Sequence, residues 1–209
     1  MTEKTANVPA QIRQNDREVR KALHNKVLKA HRYDGDTLII DELGLRHGTC
    51  RVDVAVVNGR LHGYEIKSDS DTLERLPQQI AVYGEIFDRV TLIVGEKHAE
   101  KSITQIPSWW GVKVATTGPN GTKFEHYRRE SNNRDINPLA LAELLWRPEV
   151  VSILQGLGAP APILKKPRAV LYAYLAESVE LNELRRLVRT TLKARTDWRG
   201  QRPPSLDAG

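Results

Sequence analysis

The residues best suited to chemistry lie between Arg51 and Lys67. This stretch sets Asp53 on one apolar run and Glu65-Ile66-Lys67 on the next. Asn58-Gly59 between the two runs is a strong hairpin signal. Side chains alternate along a strand, so Glu65 and Lys67 share one face while Ile66 points to the other. Charges inside apolar strands are costly to bury unless they are paired or bind a cation. Two carboxylates converging near the surface form a hard-oxygen site suited to magnesium, which keeps several waters and takes one or two carboxylates plus a substrate phosphate. A lysine beside them can orient or activate an attacking water and stabilise charge on the phosphate. Taken alone, the pattern also describes an exposed ion pair on a strand.

Further groups come from the elements around this hairpin. After Ser68-Asp69-Ser70-Asp71 an amphipathic helix is expected to run to about Phe87, its regular part beginning near Leu76 because Pro77 suits a first helical turn. A spacing of four puts Gln79 and Tyr83 on one face of that helix. An earlier helix, capped by Asp16 and carrying Val19, Leu23, Val27 and Leu28 at helical spacing, supplies Glu18. A two-residue Asn58-Gly59 turn would pair Val57 with Arg60 and Asp53 with Tyr64, leaving Glu65 facing away from Asp53. A one-residue offset is therefore needed, and Gly63 is the expected site of a bulge.

These residues resemble the motifs of the PD-(D/E)XK nuclease superfamily: Asp53 as the first acid, Glu65-Ile66-Lys67 as the E-x-K, and Gln79-x-x-x-Tyr83 as the helix motif of its exonuclease-like branch. Val52 stands where the motif's proline would be. The segment from about Asp16 to Ala115 also resembles a poorly characterised bacterial family assigned to that superfamily, mainly through Arg51-Val52-Asp53, Tyr64 to Asp69, Leu76 to Gln79 and Asp88 to Val94. The resemblance implies an α/β fold with a restriction-endonuclease-like core: helix, three-strand meander, helix, strand, helix, strand, in a mixed sheet, followed by a helical C-terminal region. It implies hydrolysis of phosphodiester bonds, in DNA rather than RNA, with Mg2+ as cofactor and Mn2+ as substitute. Asp53 would bridge the ions, Glu65 would be the second carboxylate, and the Ile66 backbone carbonyl would complete the shell. Lys67 would position the attacking water. Gln79 and Tyr83 would orient the site or touch the nucleic-acid backbone. Glu18 would reach the metal through water, in preference to Glu42, which reads as a surface charge near a strand end. The alternatives are a catalytically inactive nucleic-acid-binding protein, or a non-enzymatic interaction protein in which the trio is a surface ion-pair network.

The rest of the chain bounds the reading. Its 209 residues are 40% hydrophobic and 28% charged, an ordinary globular composition long enough for a substantial core. Cys50 is the one cysteine, so neither an internal disulfide nor a zinc cluster is expected. The longest apolar stretch is far short of the ~20 residues of a membrane span, and residues 1–6 lack a signal peptide's apolar core, so a cytoplasmic protein without membrane attachment is expected. The expected organisation is a flexible start (1–15), the nuclease-like core (16–116), a linker or loop (117–136), a basic helical region (137–199) and a flexible tail (200–209). Most of the net charge of +6 falls in the last fifth of the chain, which points to a polyanion such as nucleic acid. Lys165, Lys166, Arg185, Arg186, Arg189 and Lys193 are the expected phosphate contacts. They belong either to a helix-turn-helix-like module or to a helical bundle packed on the core with a basic rim. Cutting both strands of a duplex would favour a homodimer or sequential nicking.

Overall fold

The computed structural model describes residues 15–196; the expected flexible start (1–15) but for Asn15, the end of the expected helical region (197–199) and the expected tail (200–209) lie outside the described residues. Six strands form one mixed sheet in the order of the sequence: β1 (Leu38–Leu45), β2 (Cys50–Val57), β3 (Leu61–Lys67), β4 (Arg89–Gly95), β5 (Gly111–Gly118) and β6 (Gly121–Arg128). The β1-β2-β3 meander is antiparallel, β3-β4 and β4-β5 are parallel, and β6 returns antiparallel to β5. The two parallel steps need crossovers, supplied by α2 (Leu76–Ile86) and α3 (Glu96–Gln105). The expected order of elements is thus present, with one addition. The 117–136 segment is not all loop: β5 extends to Gly118, and Gly121–Arg128 forms a largely exposed edge strand.

The sheet is buried on both faces, which accounts for the near-continuous apolar runs of β2 to β4. One face packs against α1 (Asp16–Ala22) through Val19, Leu23, Leu28, Val54, Tyr64 and Ile66. The cap of α1 is Asn15, whose side chain accepts from the Glu18 N–H, and not Asp16 as expected. A π-helical turn over Leu23–Val27, closed by Leu28 N–H donating to the Leu23 carbonyl at 3.0 Å, lets Leu28 join Val19 and Leu23 despite a spacing of five.

The opposite face carries the larger core. Here α2 and α3 are joined by α4 (Pro138–Ala142), α5 (Arg147–Gly156), α6 (Ala161–Leu164), α7 (Arg168–Ser178) and α8 (Leu181–Ala194). Leu184, Val188 and Leu192 of α8 are fully buried in the same cluster as Leu92 of β4 and Trp110. The C-terminal helices therefore pack as a bundle on the sheet and share its core. Trp110 stacks on Tyr83 with ring centroids 5.9 Å apart, a core role for half of the Trp109-Trp110 pair.

Candidate functional site

The hairpin reaches a shared face for Asp53 and Glu65 by a route other than the one expected. Its turn has three residues: Asn58 N–H donates to the Arg60 carbonyl, and Arg60 N–H donates to Asn58 Oδ1. Val57 therefore pairs with Leu61, and Val54 with Tyr64, which sets Asp53 across from Glu65. Gly63 pairs regularly with Ala55, so there is no bulge at that position. Its lack of a side chain has another cause, since a Cβ there would lie 3.2 Å from the Phe87 ring. Beyond Val54↔Tyr64 the two strands part, and the Asp53 side chain replaces backbone pairing, its Oδ2 accepting the Ile66 N–H at 2.7 Å.

Glu65 and Lys67 are buried at the end of β3, 1% and 4% exposed. Lys67 Nζ lies 2.5 Å from Glu65 Oε1, which also accepts from Gln79 Nε2 at 2.6 Å. The Tyr83 hydroxyl lies 2.6 Å from Glu65 Oε2 and 2.8 Å from the Arg51 carbonyl, and its single proton serves one of them at a time. Burial, with the Glu65 carboxylate beside it, pushes the Tyr83 phenol far up, so it remains a donor. The helix motif and the strand motif thus meet in one hydrogen-bonded cluster.

Glu18 does not join them. It is exposed on α1 and lines no part of the pocket at the cluster. Residues two positions to either side of it do: Asp16 and Arg20 face the site, together with Glu42 of β1. Asp41 pairs with Val54 and Leu43 with Val52, which puts Glu42 opposite Asp53. Two facing carboxylates would repel, and Arg20 bridges them. Its Nη2 lies 2.9 Å from Asp53 Oδ1, 2.7 Å from Glu42 Oε1 and 3.3 Å from Asp16 Oδ2, while Nη1 donates to the Asp53 carbonyl at 2.7 Å. Glu42 adopts φ +58°, a left-handed conformation that is strained for a residue with a Cβ. At this kink the core-facing positions of β1 switch from even (Ile40) to odd (Leu43, Leu45). The matching switch in β2 falls between Val52 and Ala55, at Asp53. The Asp16–Arg20 spacing is visible in the sequence, but their convergence on Glu42 and Asp53 carries no local signal.

The pocket has a volume of about 480 Å³. Its floor is the cluster just described, and Asp71, Gly48, Thr49, Cys50, Arg51, Arg75 and Gln78 complete its walls. Burial raises the Asp53 carboxyl to about 7; the Glu65 charge adds to the shift, and the Ile66 N–H and Arg20 only partly offset it. Asp53 and Glu65 each already face one cation, Arg20 and Lys67. The available donors are hard oxygens, the carboxylates of Asp53 and Glu65. The Ile66 carbonyl joins them, because the N–H and C=O of one residue in an extended strand point the same way. Among the described residues no group of three or more His, Cys, Asp or Glu could cage an ion. Two carboxylates and one carbonyl would leave most of an ion's shell to water.

The expected phosphate contacts on α8 lie elsewhere. Arg185 and Arg189 flank Asp88, at 3.2 and 4.0 Å, and Asp88 Oδ2 accepts the N–H of Leu61 at the start of β3. Arg186 pairs with Glu183, and Lys193 with Asp36. Lys165 and Lys166 are exposed between α6 and α7 and do not line the pocket.

The fold and site define a mixed α/β protein with a charged cluster buried under an open polar pocket. From residue 10 to 201 the chain matches the family model described as Bacteriophage P4 protein cII, and it belongs to that family. Protein cII of Enterobacteria phage P4 is 26% identical to it over 160 residues, 77% of this chain. The chain spans 60% of the length of that relative. No solved structure matches it. Among the described residues no helix is long and apolar enough to cross a membrane.

Proposed function

We propose that the protein is a divalent-cation-dependent nuclease on a restriction-endonuclease-like core, hydrolysing phosphodiester bonds in DNA. One observation carries this reading: Asp53, Glu65 and Lys67, charged groups that are costly to bury, converge at the floor of a pocket open to solvent, braced by Gln79 and Tyr83. When bound, Mg2+ or Mn2+ would supply Lewis-acid polarisation of the scissile phosphate. The oxygens of Asp53 and Glu65 with the Ile66 carbonyl would hold it. Lys67, beside Glu65, would orient a water for attack on the phosphate. Gln79 and Tyr83 hold Glu65 in one rotamer, while Arg20 and the Ile66 N–H do the same for Asp53.

A second reading is a non-enzymatic ion-pair network that pins α1 and α2 to the meander. It is favoured by the cations already in place, Arg20 on Asp53 and Lys67 on Glu65. Incubation of supercoiled plasmid and single-stranded DNA with Mg2+, Mn2+ or EDTA, beside Asp53→Ala, separates the two. Metal-dependent cutting that the substitution removes is expected. Intact DNA under every metal, with no Mn2+ binding by calorimetry, would leave the network reading.

A further inference from the structure

We propose that Arg51 and Arg75 form a phosphate-holding lip at the pocket mouth, and that this lip, not the basic face of α8, grips the nucleic-acid backbone. The inference rests on the nuclease reading and adds where the strand lies.

The two sets of cations occupy opposite ends of the sheet. Asp88, the anchor of Arg185 and Arg189, binds the first residue of β3, whereas the pocket opens at its last, Lys67. Six residues at ~3.3 Å each separate them by about 20 Å. Arg185, Arg189 and Lys193 are also committed to ion pairs that fasten the helix to Asp88 and Asp36, and Arg186 pairs with Glu183 of its own helix.

The lip cations are differently placed. Arg75 is exposed, lines the pocket at the start of α2, and has no ion-pair partner among the described residues. Arg51, beside Cys50, has a side chain 61% exposed and held loosely by Glu42 at 3.3 Å.

A separate observation points to a ligand in the pocket. Gln79 is 7% exposed and lines the pocket; its Nε2 is spent on Glu65, and its Oε1 is buried without a partner. A buried acceptor in that state calls for a donor from a ligand or from a water the ligand brings.

The test is DNA binding by fluorescence anisotropy in EDTA, where no cutting occurs, across a series of salt concentrations. Wild type is compared with Arg51→Gln/Arg75→Gln and with Arg186→Gln/Arg189→Gln. Removing two phosphate contacts should lower affinity about tenfold or more at low salt and flatten the log–log salt slope by about 1.4 on single strands. The α8 variant should match wild type in both respects. Unchanged melting temperature and Mn2+ affinity in the lip variant would show that the loss is one of contact. A lip variant that binds like wild type, or an α8 variant that carries the loss, overturns the inference and leaves the nuclease reading standing. Wild type without salt-dependent DNA binding overturns both.

Discussion

Replacing Asp53 with asparagine tests the electrostatics of the pocket floor without changing its shape. The folded carboxyl sits at about 7 against 3.8 for the ordinary group, because it is buried beside Glu65. A carboxyl raised in this way keeps its proton in the folded state at pH values where the unfolded chain has already lost it. Its contribution therefore favours folding at low pH, weakens as pH rises from about 4 to about 7, and then levels off. A gap of about three units is worth about 4 kcal/mol in full. Some of that is already spent by pH 5, so wild type should lose about 2–3 kcal/mol relative to Asp53→Asn between pH 5 and pH 8. The Arg20 ion pair forms only as the carboxyl ionises, and its effect is already contained in the value of about 7. Urea denaturation of both proteins at the two pH values, in EDTA, measures the difference. A stability difference that is the same at both would show that Asp53 ionises normally and that its burial imposes no such shift.

Three further outcomes follow from the packing. Tyr83→Phe leaves Glu65 Oε2 short of its donor in a buried place and should cost about 1–3 kcal/mol in chemical denaturation, more than an ordinary buried hydroxyl loss. Gly63→Ala drives a methyl into the Phe87 ring and should cost about 1–3 kcal/mol; Phe87→Leu in the same chain should recover part of it, and an equal loss in both backgrounds would place the strain elsewhere. Leu184→Ala, in the core shared by α8 and the sheet, should cost about 2–5 kcal/mol while unfolding remains one transition by circular dichroism and tryptophan fluorescence. Two separate transitions would make the C-terminal helices a unit of their own.

The meander, α2, β4 and the E-x-K cluster were legible because each depends on local pattern: apolar runs, Asn58-Gly59, Pro77 at a helix start, and a four-residue spacing. The face shared by Asp53 and Glu65 was anticipated, but its cause was not. Turn length sets strand parity, and Arg60 at the turn is as ordinary a residue as Arg60 in a strand. The preference for Glu18 over Glu42 rests on an assumption about which helix faces the site and on Glu42 lying near a strand end, whereas the kink at Glu42 and the bridge through Arg20 are tertiary. β6 had a usable signal, the alternation of Thr122, Phe124 and His126 after Asn120-Gly121, which its polarity and flanking glycines obscured. The cations of α8 were legible as charge, and their partners Asp88 and Asp36 were not, since both lie far away in the sequence.

The strands line up in the sheet in the order in which they are synthesised, so each new strand meets a neighbour already in place. The helices that cover the larger apolar face, α4 to α8, come last, from residue 138 to residue 194. A nascent chain halted before them would display Leu92, Val112 and their neighbours to water, with β6 as an open edge. The hairpin pairings are local, the parallel steps β3-β4 and β4-β5 close longer loops, and burial of that face waits on the final helices. With α8 closed onto Asp88 and Asp36, that apolar face is withdrawn from water, and an unfinished chain is the form most exposed to aggregation.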